Sequence, residues 1–362
     1  MEVSSKNILI LGASYGSLLA SKLIFAGHCI QFVCLEEEAQ LINLDGFSIR
    51  LPIKSEEQLF ELNSRTFKDA VHACDPGSVD VSNFDLAILA MQEPQYGEPS
   101  VSALMKKLAA SDIPCLSVMN MPPLPFLRRF STIDVKACQA AYSSPTAWDG
   151  FNPDVFTHCS PDPQAFRPPG EKSNVLQVRL PANFKIARFP NAHCTTLLHH
   201  LASDIKAIRF NHQGQNIRLP VLLRIFESPY VALAKWPILI TGNYRCMTDK
   251  GMRSISEAVH ANLADSQKIY ESVTALCLKL GATEKDLVPF KDYCKAALNL
   301  TVPSSAVRAL NAGEKNIERF DKLLQIIATQ LGLHFEFIDE IVEIIDLNIE
   351  KNNLNQGPML MG

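Results

Sequence analysis

The hydrophobic pattern at the start of the chain predicts a strand, a helix and a second strand. Residues 7–11 are a continuous apolar run, which is typical of a strand buried on both faces of a parallel sheet. Helical spacing over residues 18–25 is followed by Gly27, at the place where a helix end favours a left-handed residue. A second apolar run at residues 29–35 leads into three consecutive acids. We therefore predict a βαβ unit over residues 1 to about 50.

Strand and helix patterns continue to alternate after this unit, at residues 84–91, 101–110 and 114–119. Residues 138–190 are rich in Pro, Ser and aromatic side chains with short extended runs, and we interpret them as an antiparallel continuation of the sheet. The alternation predicts an α/β fold with a Rossmann-type, doubly wound sheet formed by residues 1–216. The ligand site of such a sheet lies at the carboxyl ends of its strands.

The second half of the chain has long helical patterns, at residues 221–243, 254–280, 284–297, 317–331 and 335–347. Gly281 and Gly332 lie where two of these helices are expected to end. We predict an all-helical C-terminal domain over residues 217–347 and a flexible tail at residues 348–362. The ligand is expected between the two domains.

Composition and charge narrow the classes of function. The 362 residues carry a formal net charge of −4 and contain no basic block, so we expect no nucleic-acid partner. No run of about 18 apolar residues occurs, so we expect no membrane span. The ten cysteines form no CxxC pair and show no Cys/His ligand spacing. This pattern predicts free thiols and no metal site in a cytoplasmic protein.

The first predicted strand ends on a turn of small residues, Gly12-Ala13-Ser14-Tyr15-Gly16-Ser17. Backbone N–H groups of such a turn, together with the N-terminus of the next helix, bind a pyrophosphate. Without a gap, the three positions of the G-x-G-x-x-G pattern are Gly12, Ser14 and Ser17. Alignment backward from Gly27 puts Gly16 third and leaves the turn one residue short. We expect the cofactor to be bound by Gly12, Ser14, Tyr15, Gly16 and Ser17; the alternative is a Rossmann-like turn that no longer binds a dinucleotide.

The acids after the second predicted strand bear on the choice of cofactor. A carboxylate about 20 residues beyond the turn accepts the ribose hydroxyls of an adenosine, and Glu36 or Glu37 fits that spacing. No Arg or Lys stands at the strand end to pair with a 2′-phosphate, although Arg50 or Lys54 could fold back to it. We therefore expect NAD or NADP, with NAD favoured.

Three segments carry a family resemblance that covers nearly the whole chain. The opening section matches through its glycine turn and the stretch Leu41–Ile49, and Met119-Asn120 corresponds to a Gln-Asn-Gly loop at the nicotinamide. Residues 303–318 stand in register with a Ser-Ser-Met…Gly-Arg…Thr-Glu-Ile-Asp stretch. On these residues the chain resembles the ketopantoate reductase family, within the 6-phosphogluconate-dehydrogenase-like oxidoreductases. The resemblance implies hydride transfer between NAD(P) and a small 2-oxo or 2-hydroxy acid, and a homodimer formed through the helical domain.

The chain departs from that family at the position of the proton donor. The resemblance places a proton-donating Lys one helical turn before an Asn; Asn243 corresponds to the Asn, but Leu239 stands at the Lys position. Lys235 lies one turn earlier on the same helical face. It is our candidate donor if Pro237 allows a kink, and the alternative is an ordinary solvated lysine.

Other family positions also differ. The family's acidic partner falls on Ile317. Its neighbour Glu318 would point about 100° away on a helix, so that it replaces the family's acid only if the register slips. The family's Lys after the fourth strand corresponds to Gln92, which we expect near the cofactor together with Asn120. Ser305 keeps the family's substrate-contacting serine.

The substrate and catalytic candidates have competing structural interpretations. Asn120 and Asn243 join Lys235 as predicted catalytic residues, and Ser305 and Arg308 as predicted substrate-binding residues, because a guanidinium suits a carboxylate. Arg319 is an alternative anion ligand, but its acidic neighbours favour a salt bridge. Further candidate general acids are the histidines at positions 199, 200 and 260, although a lone helical His is more often structural.

Two classes of function therefore remain. The first is an NAD(P)-dependent oxidoreductase with a rebuilt site, acting on a 2-oxo acid, a 2-hydroxy acid or an imine other than ketopantoate. Loss of both the family Lys and the family Glu argues against ketopantoate itself. The second is a protein that keeps the fold and binds a nucleotide or metabolite without turnover.

Overall fold

The computed structural model describes residues 5–52, 59–161, 163–212 and 215–354. The chain forms two compact units. The first unit comprises Met1–Met91, Gln95–Phe126 and Thr146–Pro229, and the second comprises Gln92–Pro94, Leu127–Pro145 and Tyr230–Gly362. Two segments that come before residue 146, Gln92–Pro94 and Leu127–Pro145, thus belong to the second unit.

Sixteen strands lie in the described ranges: β1 Asn7–Leu11, β2 Cys29–Val33, β3 Ser48–Pro52, β4 Leu59–Asn63, β5 Val71–Cys74, β6 Leu86–Leu89, β7 Cys115–Val118, β8 Phe156–Ser160, β9 Gln164–Phe166, β10 Val175–Leu180, β11 Phe184–Ala187, β12 Phe210–His212, β13 Gln215–Ile217, β14 Leu223–Phe226, β15 Met247–Thr248 and β16 Gly251–Met252. All except the β15–β16 hairpin belong to the first unit.

Thirteen α-helices lie in the same ranges: α1 Tyr15–Phe25, α2 Glu36–Asp45, α3 Pro99–Ser111, α4 Leu124–Leu127, α5 Val135–Cys138, α6 Ala192–Ala207, α7 Trp236–Ile238, α8 Ile255–His260, α9 Leu263–Lys279, α10 Phe290–Ala297, α11 Ser305–Asn311, α12 Phe320–Gln330 and α13 Glu336–Leu354. No helix among the described residues is long and apolar enough to span a membrane.

The main sheet has eight strands in the order β14-β11-β8-β7-β6-β1-β2-β5. The six strands from β8 to β5 run parallel, and β11 pairs antiparallel with β8. β1 and β6 are neighbours, and the strands that follow them extend the sheet in opposite directions. This crossover between β1 and β6 is the switch point at which doubly wound sheets bind ligands.

A second sheet covers the other side of α1. Its four strands have the order β4-β3-β10-β9, with β3 and β10 parallel. α1 contacts strands of both sheets, and its residues from Gly16 to Ile24 are buried. A helix that is apolar all round is buried on every side, which explains why the pattern over 18–25 has so few polar positions.

Several elements differ from the sequence-based expectation. The segment 221–243 is not one helix: it contains strand β14, a 3₁₀ segment at Pro229–Lys235 and a change of helix type after Pro237. The proline-rich segment 138–190 contains a parallel strand, β8, and two strands of the second sheet besides antiparallel β11.

The helical unit also differs in detail. The predicted helix 254–280 is divided into α8 and α9 because the Asn262 side chain caps a new helix by accepting from the N–H of Asp265. Residues 348–354, predicted as the start of a tail, are the last turns of α13. The rest of that predicted tail lies outside the described residues.

Candidate cofactor and active site

Gly12 closes the turn after β1 and lies against the end of β6. Its φ of +100° is in the left-handed region, and its N–H donates to the carbonyl of Val33 at 2.9 Å. A Cβ at this position would lie 2.7 Å from the carbonyl oxygen of Ala90 and 2.7 Å from Cγ of Met91. Only glycine fits both this backbone conformation and this space. The turn therefore lies at the switch point of the sheet.

Gly16 lets the first turn of α1 approach the sheet closely. A Cβ on Gly16 would lie 2.6 Å from Cγ2 of Ile10 and 3.3 Å from Cβ of Ala90. Close packing of helix on strand is the role of the third glycine in a dinucleotide-binding turn. The geometry thus favours the shorter of the two alignments, with Gly16 rather than Ser17 in the third position.

The polar side chains of the turn make hydrogen bonds within the first unit. The Ser17 hydroxyl donates to the carbonyl of Ser14 at 2.7 Å, and the Tyr15 hydroxyl donates to the carbonyl of Pro163 at 2.6 Å. Ser14 is the N-cap residue of α1, but its side chain makes no capping hydrogen bond. α1 has no acidic residue in its first turn. Because N-terminal amides of a helix attract anions, this cradle fits the pyrophosphate of a dinucleotide.

The acids after β2 lie in a helix and not at the strand end. β2 ends at Val33 and α2 begins at Glu36, so that Glu36 and Glu37 are exposed in its first turn. Glu38 is buried and forms an ion pair with Arg167, which follows β9. Burial raises the pKa of the Glu38 carboxyl, and the Arg167 charge opposes that rise. The two partners are 129 positions apart, so no local sequence pattern signals the pair.

Asn120 lies at the same edge of the sheet as the glycine turn. β6 separates β1 from β7, and the three strands run parallel, so their carboxyl ends share one edge. Asn120 comes two residues after β7 and is half-buried, next to the fully buried Met121. The first unit therefore holds the predicted residues of the turn and Asn120 together, whereas Gln92 is exposed and belongs to the second unit.

Lys235 and Asn243 lie on one continuous helical stretch of the second unit. α7 is followed directly by a π-helical turn at Leu239–Asn243. In an α-helix, residues eight apart are displaced by about 80° around the axis. The extra residue of a π turn reduces the displacement to roughly 20°, so the half-buried Lys235 shares a face with Asn243.

Ser304 connects the end of this stretch to α11. Its hydroxyl donates to the carbonyl of Asn243 at 2.8 Å, and it also caps α11 by accepting from the N–H of Val307 at 3.4 Å. Ser305 and Arg308 are exposed, at the first residue of α11 and one turn later. Asn243 and the predicted substrate-binding segment are therefore neighbours in the second unit.

Ile317 and Glu318 precede α12 and are not helical, so the expected 100° separation between them does not apply. Both residues are buried, with 2% and 6% exposure. The Glu318 carboxylate accepts from the backbone N–H of Glu93 at 3.4 Å, and its carbonyl accepts from the Tyr244 hydroxyl. The Glu318 carboxylate is thus held beside Glu93, the residue that follows Gln92. Ile317, and not Glu318, stands at the position of the family's acidic partner.

Glu93 is a fully buried acid that sequence reasoning did not find. Its carboxylate accepts from the N–H of Ser143 at 3.1 and 3.2 Å and from the N–H of Ser144 at 3.4 Å. Burial raises the pKa of the Glu93 carboxyl, and these backbone donors oppose the rise. A lone acid just after a strand has no sequence signal that distinguishes it from an exposed loop residue.

The remaining candidates lie in ion pairs, in a hydrogen bond to the backbone, or on the surface. Arg319 forms ion pairs with Asp321 at 2.9 Å and with Asp346 at 2.5 Å. Nδ1 of His260 donates to a backbone carbonyl at 2.8 Å, whereas His199 and His200 are exposed on α6. All ten cysteines are free thiols. Within the described ranges no group of three or more His, Cys, Asp or Glu residues is suited to a metal ion.

Solved structures with this fold match nearly the whole chain. A putative ketopantoate reductase from Ralstonia solanacearum MolK2 has a TM-score of 0.67 at 12% identity, with 97% of this chain and 99% of that chain covered. D-mandelate dehydrogenase in a ternary structure with NADH and anilino(oxo)acetate has a TM-score of 0.64 at 12% identity, with 96% and 99% covered.

A 2-dehydropantoate 2-reductase from Methylococcus capsulatus also has a TM-score of 0.64 at 12% identity, with 98% of this chain and 99% of that chain covered. No family model and no curated protein matches the sequence. At these identities the comparisons concern the fold. They confirm the predicted fold class, a Rossmann-type sheet with a helical C-terminal part, and its likeness to ketopantoate reductases.

Proposed function

We propose that this chain is an NAD(P)-dependent oxidoreductase acting on a small 2-oxo acid, 2-hydroxy acid or imine other than ketopantoate. The observation that carries the proposal is Gly12, whose left-handed φ and lack of room for a Cβ beside Ala90 and Met91 support a tight phosphate-binding turn at the switch point. A protein of the same fold supports the substrate class: one D-mandelate dehydrogenase structure holds NADH together with anilino(oxo)acetate, which carries an oxo group next to its carboxylate.

The first unit supplies the residues that would hold the dinucleotide. Backbone N–H groups from Gly12 to Gly16 and the N-terminus of α1 would bind the pyrophosphate. Asn120, at the carboxyl end of β7, would orient the nicotinamide. The bound nicotinamide supplies or accepts the hydride, which is chemistry that no protein side chain provides.

The second unit supplies candidates for the substrate and the proton. The Arg308 guanidinium would pair with the carboxylate of the substrate, and the Ser305 hydroxyl would donate a hydrogen bond to it. In the reductive direction the carbonyl carbon gains the hydride, and the ammonium of Lys235 would give its proton to the carbonyl oxygen. Asn243, on the same helical face as Lys235, would orient that oxygen through its amide.

Leu239 and Ile317 are the reason for proposing a substrate other than ketopantoate. They stand where the resembling family has its proton donor and its acidic partner. Moving the donor from position 239 to 235 shifts it by one helical turn, about 5.4 Å along the axis. A shift of that size changes which carbonyl can be protonated, since a misplacement of about 1 Å already lowers rates strongly.

Steady-state turnover with a panel of 2-oxo acids and imines, using NADH and NADPH in turn, tests the proposal. We expect Lys235→Met to reduce kcat on the best substrate by about 100-fold or more. Lys268→Met, at an exposed position of α9, should leave kcat unchanged. Equal kcat for wild type and Lys235→Met would remove Lys235 from the mechanism.

A non-catalytic nucleotide- or metabolite-binding protein is the second candidate function, favoured by the same two replacements, Leu239 and Ile317. It predicts that NADH or NADPH raises the melting temperature while no member of the panel is reduced. It also predicts that Lys235→Met leaves dinucleotide affinity unchanged, because Lys235 then has no reacting partner.

We also propose a homodimer formed through the helical unit. The Staphylococcus aureus ketopantoate reductase of this fold is described as dimeric, with a TM-score of 0.60 and 9% identity. Sedimentation equilibrium of the full chain would give twice the 40.1 kDa monomer mass if the proposal holds. The cytoplasmic location stays a prediction.

A further inference from the structure

The segment from Pro163 to Arg167 connects the glycine turn to the helix that follows β2. At one end the carbonyl of Pro163 accepts from the Tyr15 hydroxyl at 2.6 Å. At the other end the Arg167 guanidinium pairs with the Glu38 carboxylate. Between these two points the segment forms β9, an edge strand of the second sheet. All of these residues belong to the first unit.

These two anchoring points mark the ends of the place where an adenosine would lie. In a doubly wound sheet the pyrophosphate lies at the turn after the first strand, and the adenosine ribose lies at the carboxyl end of the second strand. Here those positions are the turn at Gly12–Gly16 and the residues Cys34 and Leu35 that follow β2. The ion pair with Glu38, in the first turn of α2, places the Arg167 guanidinium near this strand end.

Arg167 is held in position while part of it stays open to solvent. Its side chain is 37% exposed, whereas that of its partner Glu38 is 11% exposed. One edge of the guanidinium is therefore occupied by a largely buried carboxylate. A guanidinium presents five N–H donors in a fixed fork, so the open edge keeps donors for a second anion.

From this geometry we infer that Arg167 recognises a phosphate on the 2′ position of the adenosine ribose and gives the chain a preference for NADP(H). Glu38 acts as a positioning residue, because it fixes the guanidinium without reaching the ligand. The inference rests on the proposed dinucleotide binding. It revises the preference for NAD drawn from the sequence, in which no cation was visible near the end of β2.

The exposed acids that follow β2 disfavour a 2′-phosphate, but their effect on the cofactor preference is weaker than that of Arg167. Glu36 and Glu37 are exposed in the first turn of α2, where the Glu36 carboxylate accepts from the Gln40 side-chain amide at 3.2 Å. Exposed charges are screened at physiological ionic strength, and interactions between them are small. A guanidinium that donates directly to a phosphate forms a charge-assisted hydrogen bond, which is about twice as strong as a neutral one. Arg167 is therefore expected to decide the preference.

The test compares the dissociation constants of NADPH and NADH, measured by the change of nicotinamide fluorescence on binding. For wild type we expect NADPH to bind about tenfold or more tightly than NADH, as one charge-assisted hydrogen bond provides. The informative variant is Glu38→Gln combined with Arg167→Met. It leaves no unpaired buried charge, so it should fold where Arg167→Met alone could fail.

In this double variant we expect NADPH to lose about tenfold in affinity while NADH binding stays unchanged. Arg179→Met is the matched control: Arg179 is an exposed arginine on neighbouring β10, with its guanidinium 4.8 Å from the Phe166 ring centroid. It should leave both affinities unchanged. A wild type that prefers NADH, or an unchanged ratio in the double variant, overturns the role of Arg167 while leaving the proposed function intact. Failure of both dinucleotides to bind overturns the proposed function as well.

Discussion

The backbone N–H of Glu93 donates to the carboxylate of Glu318 at 3.4 Å, so two buried acids lie next to each other in the second unit. The Glu93 carboxylate itself is directed to the amides of Ser143 and Ser144. Glu93 thus ties the short segment after β6 to the segment 127–145, and both segments belong to the helical unit. A buried acid in a structural position makes stability depend on pH.

Replacing Glu93 by Gln is expected to reduce this pH dependence. Burial raises the folded pKa of Glu93 above its unfolded value, so the folded state binds more protons in the window between the two values. Stability from this group is present below the unfolded pKa and is lost as pH rises through the folded pKa. Urea unfolding should therefore show that the free energy of unfolding falls less between pH 5 and pH 8 for Glu93→Gln than for wild type.

Glu314→Gln, at an exposed site, is the control and should follow wild type at both pH values. The assignment fails if Glu93→Gln loses as much stability as wild type between pH 5 and pH 8.

The burial of Lys22 is expected to make the protein more stable as pH rises, which is the opposite of the effect expected for Glu93. It is fully buried in α1, its Nζ has no hydrogen-bond partner in the described structure, and burial lowers its pKa to about 7. Below that pKa both states are protonated, and the cost of burying the charge is fully present. Between about pH 7 and the unfolded value near 10.4, stability should rise by about 1.4 kcal/mol per pH unit.

Lys22→Met should be more stable than wild type at pH 7 and should lack that rise. Urea unfolding at pH 7 and pH 9 measures both effects, with exposed Lys106→Met as the comparison. A wild-type unfolding free energy that does not change between these pH values would contradict a neutral buried lysine.

Comparison of Gly12→Ala with Gly27→Ala separates the cost of backbone strain from the cost of steric crowding. Both glycines have left-handed φ values, +100° and +90°, but a Cβ at Gly27 would meet nothing within 4 Å. We expect Gly27→Ala to cost about 1 kcal/mol through strain alone and to leave dinucleotide affinity unchanged. Gly12→Ala should cost more and should abolish binding, because the turn must move away from Ala90. Similar affinities for the two variants would show that the turn does not bind the cofactor.

Within the π turn Leu239–Asn243, Gly242 lies close to the Tyr293 side chain. A Cβ on Gly242 would lie 2.0 Å from the Tyr293 hydroxyl oxygen. Gly242→Ala should therefore destabilise the protein by about 2 kcal/mol or more through overpacking. Tyr293→Phe alone should cost about 1 kcal/mol, because the hydroxyl donates to the carbonyl of Ile238 at 3.3 Å.

In the double variant we expect the two losses to be less than additive, since the removed hydroxyl leaves room for the new methyl group. Urea unfolding of the four proteins in this cycle measures the coupling. Strictly additive losses would mean that the methyl group added to Gly242 clashes elsewhere.

The sequence predicts local elements better than it predicts pairings. The strand, turn and helix from Asn7 to Phe25 follow from a buried apolar run and a small-residue turn, which depend only on neighbouring positions. The second sheet was missed because β3 pairs with β10, which lies far along the chain, and no local pattern indicates that pairing. The Arg167–Glu38 pair was missed for the same reason.

Helix prediction failed where prolines and burial compete with the apolar pattern. Residues 221–243 are apolar enough for a buried helix, yet β14 pairs with β11 and the helix type changes after Pro237. Glu318 was expected to replace the family's acid only if a helical register slipped, but α12 begins only at Phe320, so helical geometry does not apply to Glu318. Periodicity alone does not place the first residue of a helix, and here that boundary decides which side chain is buried.

The burial of α1 between two sheets also has a consequence for ligand recognition. Its amide groups are fixed before any ligand arrives, so a phosphate at its N-terminus would bind without an entropic cost for ordering that backbone. Adjustment must come instead from the ligand and from residues 163–167, which include the edge strand β9 of the second sheet. Amide hydrogen exchange should therefore be slow in α1 in the free protein, and a dinucleotide should slow it chiefly in residues 163–167.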